Sequence, residues 1–233
     1  MQNKSHTILI TGANRGIGLE FVKQYAKEGW NVLACCRNPN QASELQQVAK
    51  QYASVEIFKL DVTNINDIQE IVQTLKERPI DILINNAGIY GEEQSLGDIS
   101  IEALQKTFLT NAVGPLKLSE ALLPNLKIGQ LKTIATISTQ MASIDDNKSG
   151  GFYAYRASKA ALNMIMKSLS IDLQSLGIKV LILHPGWVKT DMGGENAPID
   201  AKTSVSHLRE VIAFKHNEKS GNFYSYLGQP IEW

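Results

Sequence analysis

Tyr155 and Lys159 stand four residues apart in Tyr155-Arg156-Ala157-Ser158-Lys159, a spacing that puts both side chains on one face of an α-helix. A phenol with an ordinary pKa near ~10 is by itself a poor proton carrier at neutral pH. An ammonium beside it favours the phenolate, so the pair reads as an acid and base tuned to move one proton. A surface pair at helical spacing has the same signature, and position in the chain must separate the two. Tyr153, six residues before the lysine, falls far around the helix from it and is assigned to substrate or packing contacts.

The next candidate is the loop Thr11-Gly12-Ala13-Asn14-Arg15-Gly16-Ile17-Gly18. It lies between a β-branched run and a helical pattern, setting backbone N–H groups and a helix amino end where a pyrophosphate would lie. Its spacing is G-x-x-x-G-x-G, not the commoner G-x-G-x-x-G, and a tight turn that binds nothing is the plain alternative. After the second strand, NAD-specific proteins usually place a carboxylate against the ribose. Here the strand ends Cys35-Cys36-Arg37. Arg37, with Arg15, can pair a 2′-phosphate through charge-assisted hydrogen bonds, so NADP(H) is preferred over NAD(H). A solvated arginine is the bland reading, but it leaves the missing carboxylate unexplained.

The elements that must position these groups alternate. Strands are expected at residues 7–10, 31–36, 55–60, 82–85, 132–138 and 179–183, with a short seventh at 223–226. Helices are expected at 17–28, 42–52, 65–77, 101–126, 153–176 and 203–214. That order argues for βαβ units and a Rossmann-type, doubly wound parallel α/β sheet with helices on both faces. With no repeat, low-complexity segment or linker, residues 1–233 are expected to form a single domain. In such a sheet the ligand crevice lies outside the carboxyl ends of the strands, where all the candidates above fall. The least regular stretches, 140–151 and 189–202, follow strand ends too.

Composition narrows the partners. Lysine plus arginine and aspartate plus glutamate both number 23, so no global field attracts nucleic acid or an anionic membrane. A small molecule is the expected partner. Cys35 and Cys36 are adjacent and read as buried strand residues in a reducing compartment. His6, His184, His207 and His216 are scattered without a ligand pattern, so no metal site is expected. The polar start of the chain runs into too few apolar residues for a signal segment. A soluble cytoplasmic protein is the expectation.

With the loop in place, later segments line up in order. Asn85-Asn86-Ala87-Gly88, Asn111, Ser138, Tyr155 with Lys159, and Pro185-Gly186 followed by Val188 and Thr190 together resemble the short-chain dehydrogenase/reductase family over most of the chain. Each motif is weak by itself; the ordered set is specific. Residues 35–39, 153–159 and 184–188 are similar to the branch containing Sniffer-type carbonyl reductases and bacterial C-factor proteins.

The resemblance implies an NADPH-linked reductase acting on a ketone, aldehyde or quinone, or on the alcohol in reverse. It implies that Ser138 donates its hydroxyl to the carbonyl oxygen, and that Asn111 begins a water-linked proton path to Lys159. Asn85, Ala87, Gly88, Pro185, Gly186, Val188 and Thr190 would contact the cofactor. In Asp61-Val62-Thr63 the aspartate would meet the adenine edge or cap the next helix. Asn111 lies before Gly114-Pro115, where the proline disrupts the helix, and an incidental polar residue near a kink reads equally well. Residues 140–151, Trp187 and 192–197 are expected to shape an apolar substrate crevice. The helices over 101–126 and 153–176 could pack against their copies in a homodimer, or serve the core. Two other functions stay open: a C-factor-type signalling protein with little turnover, and an NAD-linked alcohol dehydrogenase.

Overall fold

The computed structural model describes residues 5–92, 95–215 and 218–233; His216 lies outside them. The strands are β1 (Thr7–Thr11), β2 (Asn31–Cys36), β3 (Val55–Lys59), β4 (Ile82–Asn85), β5 (Thr133–Ile137), β6 (Lys179–His184) and β7 (Asn222–Ser225). They form one sheet in the order β3-β2-β1-β4-β5-β6-β7, parallel at every pairing. The helices are α1 (Gly16–Lys27), α2 (Ser43–Gln51), α3 (Ile65–Leu75), α4 (Ile101–Phe108), α5 (Gly114–Ala121), α6 (Leu123–Ile128), α7 (Tyr153–Asp172) and α8 (Ala201–Lys215).

Parallel strands covered on both faces must be apolar on both, and the central ones are. Ile8 and Ile10 of β1, with Val32 and Ala34 of β2, face a core built with Phe21 and Val22 of α1, Leu45 of α2 and Leu208 of α8. Leu9, Leu33 and Cys35 point the other way, to Ile68 and Ile71 of α3, Leu118 of α5 and Leu162 and Met166 of α7. Both cysteines are free and buried.

The strand order reverses between β1 and β4, whose register runs Ile8↔Ile82 and Ile10↔Ile84. From β1 the chain proceeds outward to β2 and β3; from β4 it proceeds the other way. The connecting segments therefore diverge beyond the carboxyl ends of β1 and β4 and open a crevice there. At the opposite end of the strands, Asp81 ties the middle of the sheet together. Its carboxylate accepts the Thr7 N–H at 2.7 Å and the Gln130 N–H at 2.7 Å, joining the starts of β1, β4 and β5.

Two helix boundaries differ from the pattern-based expectation. The helix expected over 101–126 is three helices, with a π-helical turn at Leu109–Val113 between α4 and α5. Pro115 sits in the first turn of α5 and has no N–H to return to the carbonyl four residues back, so the ladder widens and Gly114 N–H reaches the Leu109 carbonyl. The helix expected over 153–176 ends at Asp172. A 3₁₀ turn, Gln174–Leu176, follows before Gly177 turns left-handed. Among the described residues no helix is long and apolar enough to cross a membrane.

Candidate active site

The segments leaving β1 to β6 enclose a cleft of about 560 Å³. Gly12, Asn14, Arg15, Gly16, Ile17, Gly18, Arg37, Asp61, Val62, Ala87, Gly88, Ser138, Tyr155, Lys159, Pro185 and Thr190 all line it. Asn85, Asn111, Gly186 and Val188 are not on its wall. The buried Asn85 amide donates to Ser119 Oγ of α5 at 2.9 Å. Gly186 packs against Ile199 and Tyr226, and Val188 bridges to Ile199.

The glycine loop is held from the end of β4. Thr11 Oγ1 accepts the N–H groups of Asn86 at 3.0 Å and Ala87 at 2.9 Å. The Asn86 amide donates to the Thr11 carbonyl at 2.9 Å and the Gly12 carbonyl at 3.2 Å. A Cβ on Gly18 would overlap the Gly12 carbonyl and lie 2.6 Å from Asn86 Nδ2. Gly12 itself sits at φ +64° with Ala87 Cα against it. No side chain caps the amino end of α1 and no carboxylate occupies its first turn, whereas Asn64 caps α3 and Ser100 caps α4. The amino end of α1 thus keeps donors and positive dipole for an anion.

Arg37 is exposed at the end of β2, lines the cleft and has no ion-pair or hydrogen-bond partner among the described residues. Arg15 is shared: its guanidinium meets the Asp191 carboxylate at 2.8 Å, both side chains exposed. Asp61 does not cap α3. One of its carboxylate oxygens accepts the Thr63 N–H at 2.9 Å and the Thr63 hydroxyl at 2.7 Å. An uncapped helix end, a loop too close for a Cβ, and an unpaired guanidinium one strand away fit a phosphorylated dinucleotide.

The candidate proton-transfer groups come from α7 and the end of β5. Burial pushes the Tyr155 phenol up to about 12, opposed in part by a hydrogen bond with the Thr139 side chain and raised further by Tyr90; the Tyr90 ring lies 4.6 Å from the Tyr155 ring. Burial lowers Lys159 to about 8, and its ammonium donates to the Ile137 carbonyl at 2.8 Å. The expected pull of Lys159 on the Tyr155 proton is not among the forces that set the phenol here, because the ammonium is turned to the strand. Tyr155 is accordingly a neutral hydroxyl at pH 7, a proton donor rather than a phenolate. Tyr153 is far more exposed, 37% against 8%, as its place on the helix requires.

Ser138, directly after β5, is fixed by its own N–H on the Leu183 carbonyl at 2.7 Å, and its hydroxyl donates to Asn163 Oδ1 at 2.6 Å. Asn111 lies in the π-helical turn, fully buried. Its amide accepts the Ile89 N–H at 2.9 Å and donates to the Ile89 carbonyl at 2.8 Å and to Ser158 Oγ at 3.0 Å. A Cβ on Gly88 would sit 3.2 Å from Asn111 Oδ1 and 3.5 Å from Lys159 Nζ, so both groups lie against that glycine.

A family model described as short chain dehydrogenase matches residues 6–200. This chain belongs to the short chain dehydrogenase family. Among relatives of this member, C-signal of Myxococcus xanthus is 46% identical over 155 residues, 66% of this chain and 93% of that protein. Among solved structures, the carbonyl reductase Sniffer of D. melanogaster has a TM-score of 0.90 at 37% identity, covering 98% of this chain and 100% of its own. An NADPH-bound carbonyl reductase from chicken fatty liver has a TM-score of 0.91 at 34% identity, covering 98% and 99%. The doubly wound sheet is the fold this dehydrogenase shares with them.

Several residues of this family member were not singled out by sequence reasoning. Asn86 and Thr11 hold the loop, Thr139 bonds Tyr155, Asp191 engages Arg15, and Asn163 engages Ser138. One of these carried a local signal: Asn163 repeats the four-residue step from Tyr155 through Lys159 on the apolar side of a helix. Among the described residues no group of three or more His, Cys, Asp and Glu side chains could hold a metal.

Proposed function

We propose that this short chain dehydrogenase is an NADP(H)-dependent carbonyl reductase whose residues 1–233 act as one catalytic unit. One observation carries the reading: a neutral, buried Tyr155 hydroxyl opens on the same cleft as the uncapped loop and the unpaired Arg37. Gly12 to Gly18 would hold the pyrophosphate, Arg37 and Arg15 the 2′-phosphate, and Pro185 and Thr190 the nicotinamide end. When bound there, NADPH supplies the hydride.

Tyr155 delivers its proton to the substrate oxygen while the carbonyl carbon is reduced. Ser138 donates a hydrogen bond to that oxygen as negative charge develops on it. Lys159, held near neutrality by burial, returns a proton to the tyrosine side of the site. Asn111 and Lys159 both face Gly88, which supports a proton route between them. The similarity to NADPH-bound carbonyl reductase favours NADP(H) and a carbonyl substrate over the NAD-linked alcohol dehydrogenase reading. The exposed Ile101, Met164 and Ile171 of α4 and α7 support a homodimer through those helices.

The test is NADPH oxidation over a panel of ketones, aldehydes and quinones. Turnover by the native chain, reduced at least ~100-fold in Tyr155→Phe and retained in Tyr153→Phe, is expected. Full activity of Tyr155→Phe would sink the mechanism. Tight NADPH binding without turnover across the panel would favour the signalling reading, which the similarity to C-signal keeps in view.

A further inference from the structure

Ser138 has one hydroxyl proton, and it is committed to Asn163 Oδ1 at 2.6 Å. The proposed chemistry needs that proton on the substrate oxygen, since a serine hydroxyl donates only once while accepting twice. Asn163 is 3% exposed, and its Nδ2 is buried with no hydrogen-bond partner among the described residues. A buried N–H group left unpaired is costly, so the amide is not in an arrangement that satisfies it. Turning the amide by half a revolution exchanges oxygen and nitrogen in nearly the same space. Nδ2 then donates to a lone pair of Ser138 Oγ, and the serine proton is released.

From this geometry, and resting on the carbonyl reductase reading above, we propose that Asn163 is a positioning residue that sets the direction of the Ser138 proton. With Oδ1 toward the serine, the proton is held inside the fold; with Nδ2 toward it, the proton points to the cleft and the substrate. In the turned state Oδ1 takes the unpartnered place, and an unpaired carbonyl oxygen is tolerated better than an unpaired N–H, which favours that state. The face of α7 then carries a line of function at four-residue steps: Tyr155 for the proton, Lys159 behind it, and Asn163 for the polarising serine. An amide serves both states, because it can accept from Ser138 in one and donate to it in the other.

The experiment compares Asn163→Leu, Asn163→Asp, Ser138→Ala and Ser138→Ala/Asn163→Leu in NADPH-linked carbonyl reduction, with NADPH affinity and thermal unfolding measured on each. Asn163→Leu should lower kcat ~10- to 100-fold, the scale of weakening one oxyanion donor, with KM and NADPH affinity within about threefold. In the Ser138→Ala background the same change should cost almost nothing more, because its path through the serine is already gone. An ionised Asn163→Asp accepts but cannot donate, so its rate should be low at pH 7 and rise as the carboxyl protonates on acidification, a limb absent from the native profile. It also reads the proposal if Asn163→Leu does not fold. Native kcat in Asn163→Leu, equal losses with and without Ser138, or an Asn163→Asp profile parallel to the native one would each overturn the role. A native chain with no turnover on any carbonyl would instead bring down the reductase reading, and this inference with it.

Discussion

Lys159 Nζ donates to the Ile137 carbonyl at 2.8 Å, so the helix that carries Tyr155 is pinned to the strand end that carries Ser138. The contact joins the proposed proton donor and the proposed polarising hydroxyl through one buried cation.

That cation is a stability cost with a defined sign. Burial puts Lys159 at about 8 in the folded chain, below its ordinary 10.5. The folded state therefore bears the full cost of the buried ammonium below about pH 8 and sheds it as pH rises from about 8 to 10.5. The shift is worth at most about 3 kcal/mol, and removing the amine leaves the Ile137 carbonyl without its donor. Lys159→Met is expected to stabilise the fold by roughly 1–2 kcal/mol at pH 7 while losing turnover, with the gain vanishing by pH 10.5. Urea unfolding at both pH values checks it; a destabilised variant at pH 7 contradicts it.

Arg37 lies on the cleft with no partner among the described residues, whereas Arg15 already meets Asp191. Arg37→Asp should weaken NADPH binding ~30- to 300-fold, the scale of a charge-assisted hydrogen bond lost and a repulsive charge introduced, and leave NADH binding little changed. Arg15→Ala should cost NADPH less. Fluorescence titration of both cofactors decides it, and an equal loss for NADH and NADPH would remove the 2′-phosphate from the account.

At Gly18 a Cβ would overlap the Gly12 carbonyl and crowd Asn86 Nδ2. Gly18→Ala should displace the loop and lower cofactor affinity at least ~10-fold. Its cost in stability should stay within about 1–3 kcal/mol, as for other overpacked sites. Calorimetric titration with unchanged affinity would show that the loop does not touch the cofactor.

At the end of the strands opposite the cleft, Asp81 joins the starts of β1, β4 and β5. Asp81→Ala removes the acceptor for the buried N–H of Thr7 and the part-buried N–H of Gln130 and should destabilise by about 1–3 kcal/mol. KM values of the folded fraction should not move. Thermal unfolding with paired kinetics separates the two effects.

The residues legible in the sequence are those whose signal is local. Tyr155 and Lys159 declare themselves by helical spacing together with their position among the ordered motifs, the Gly12 to Gly18 loop by its place between a strand and a helix, and the parallel sheet by apolar runs alternating with helical periods. These are short-range consequences of backbone geometry. The break in the helix expected over 101–126 was half legible: Pro115 announces it, but the π-helical turn also depends on what Asn111 grips. Tertiary structure decided the rest. Ser138 meets Asn163 across 25 residues, Thr11 meets Asn86 across 75, and Arg15 meets Asp191 across 176. Such pairs follow from sheet order, which joins β1 to β4 rather than to its neighbours in sequence alone. Burial likewise moved Tyr155 and Lys159 toward neutrality, since the cost of burying a charge depends on everything packed around it and not on the two residues that spacing reveals.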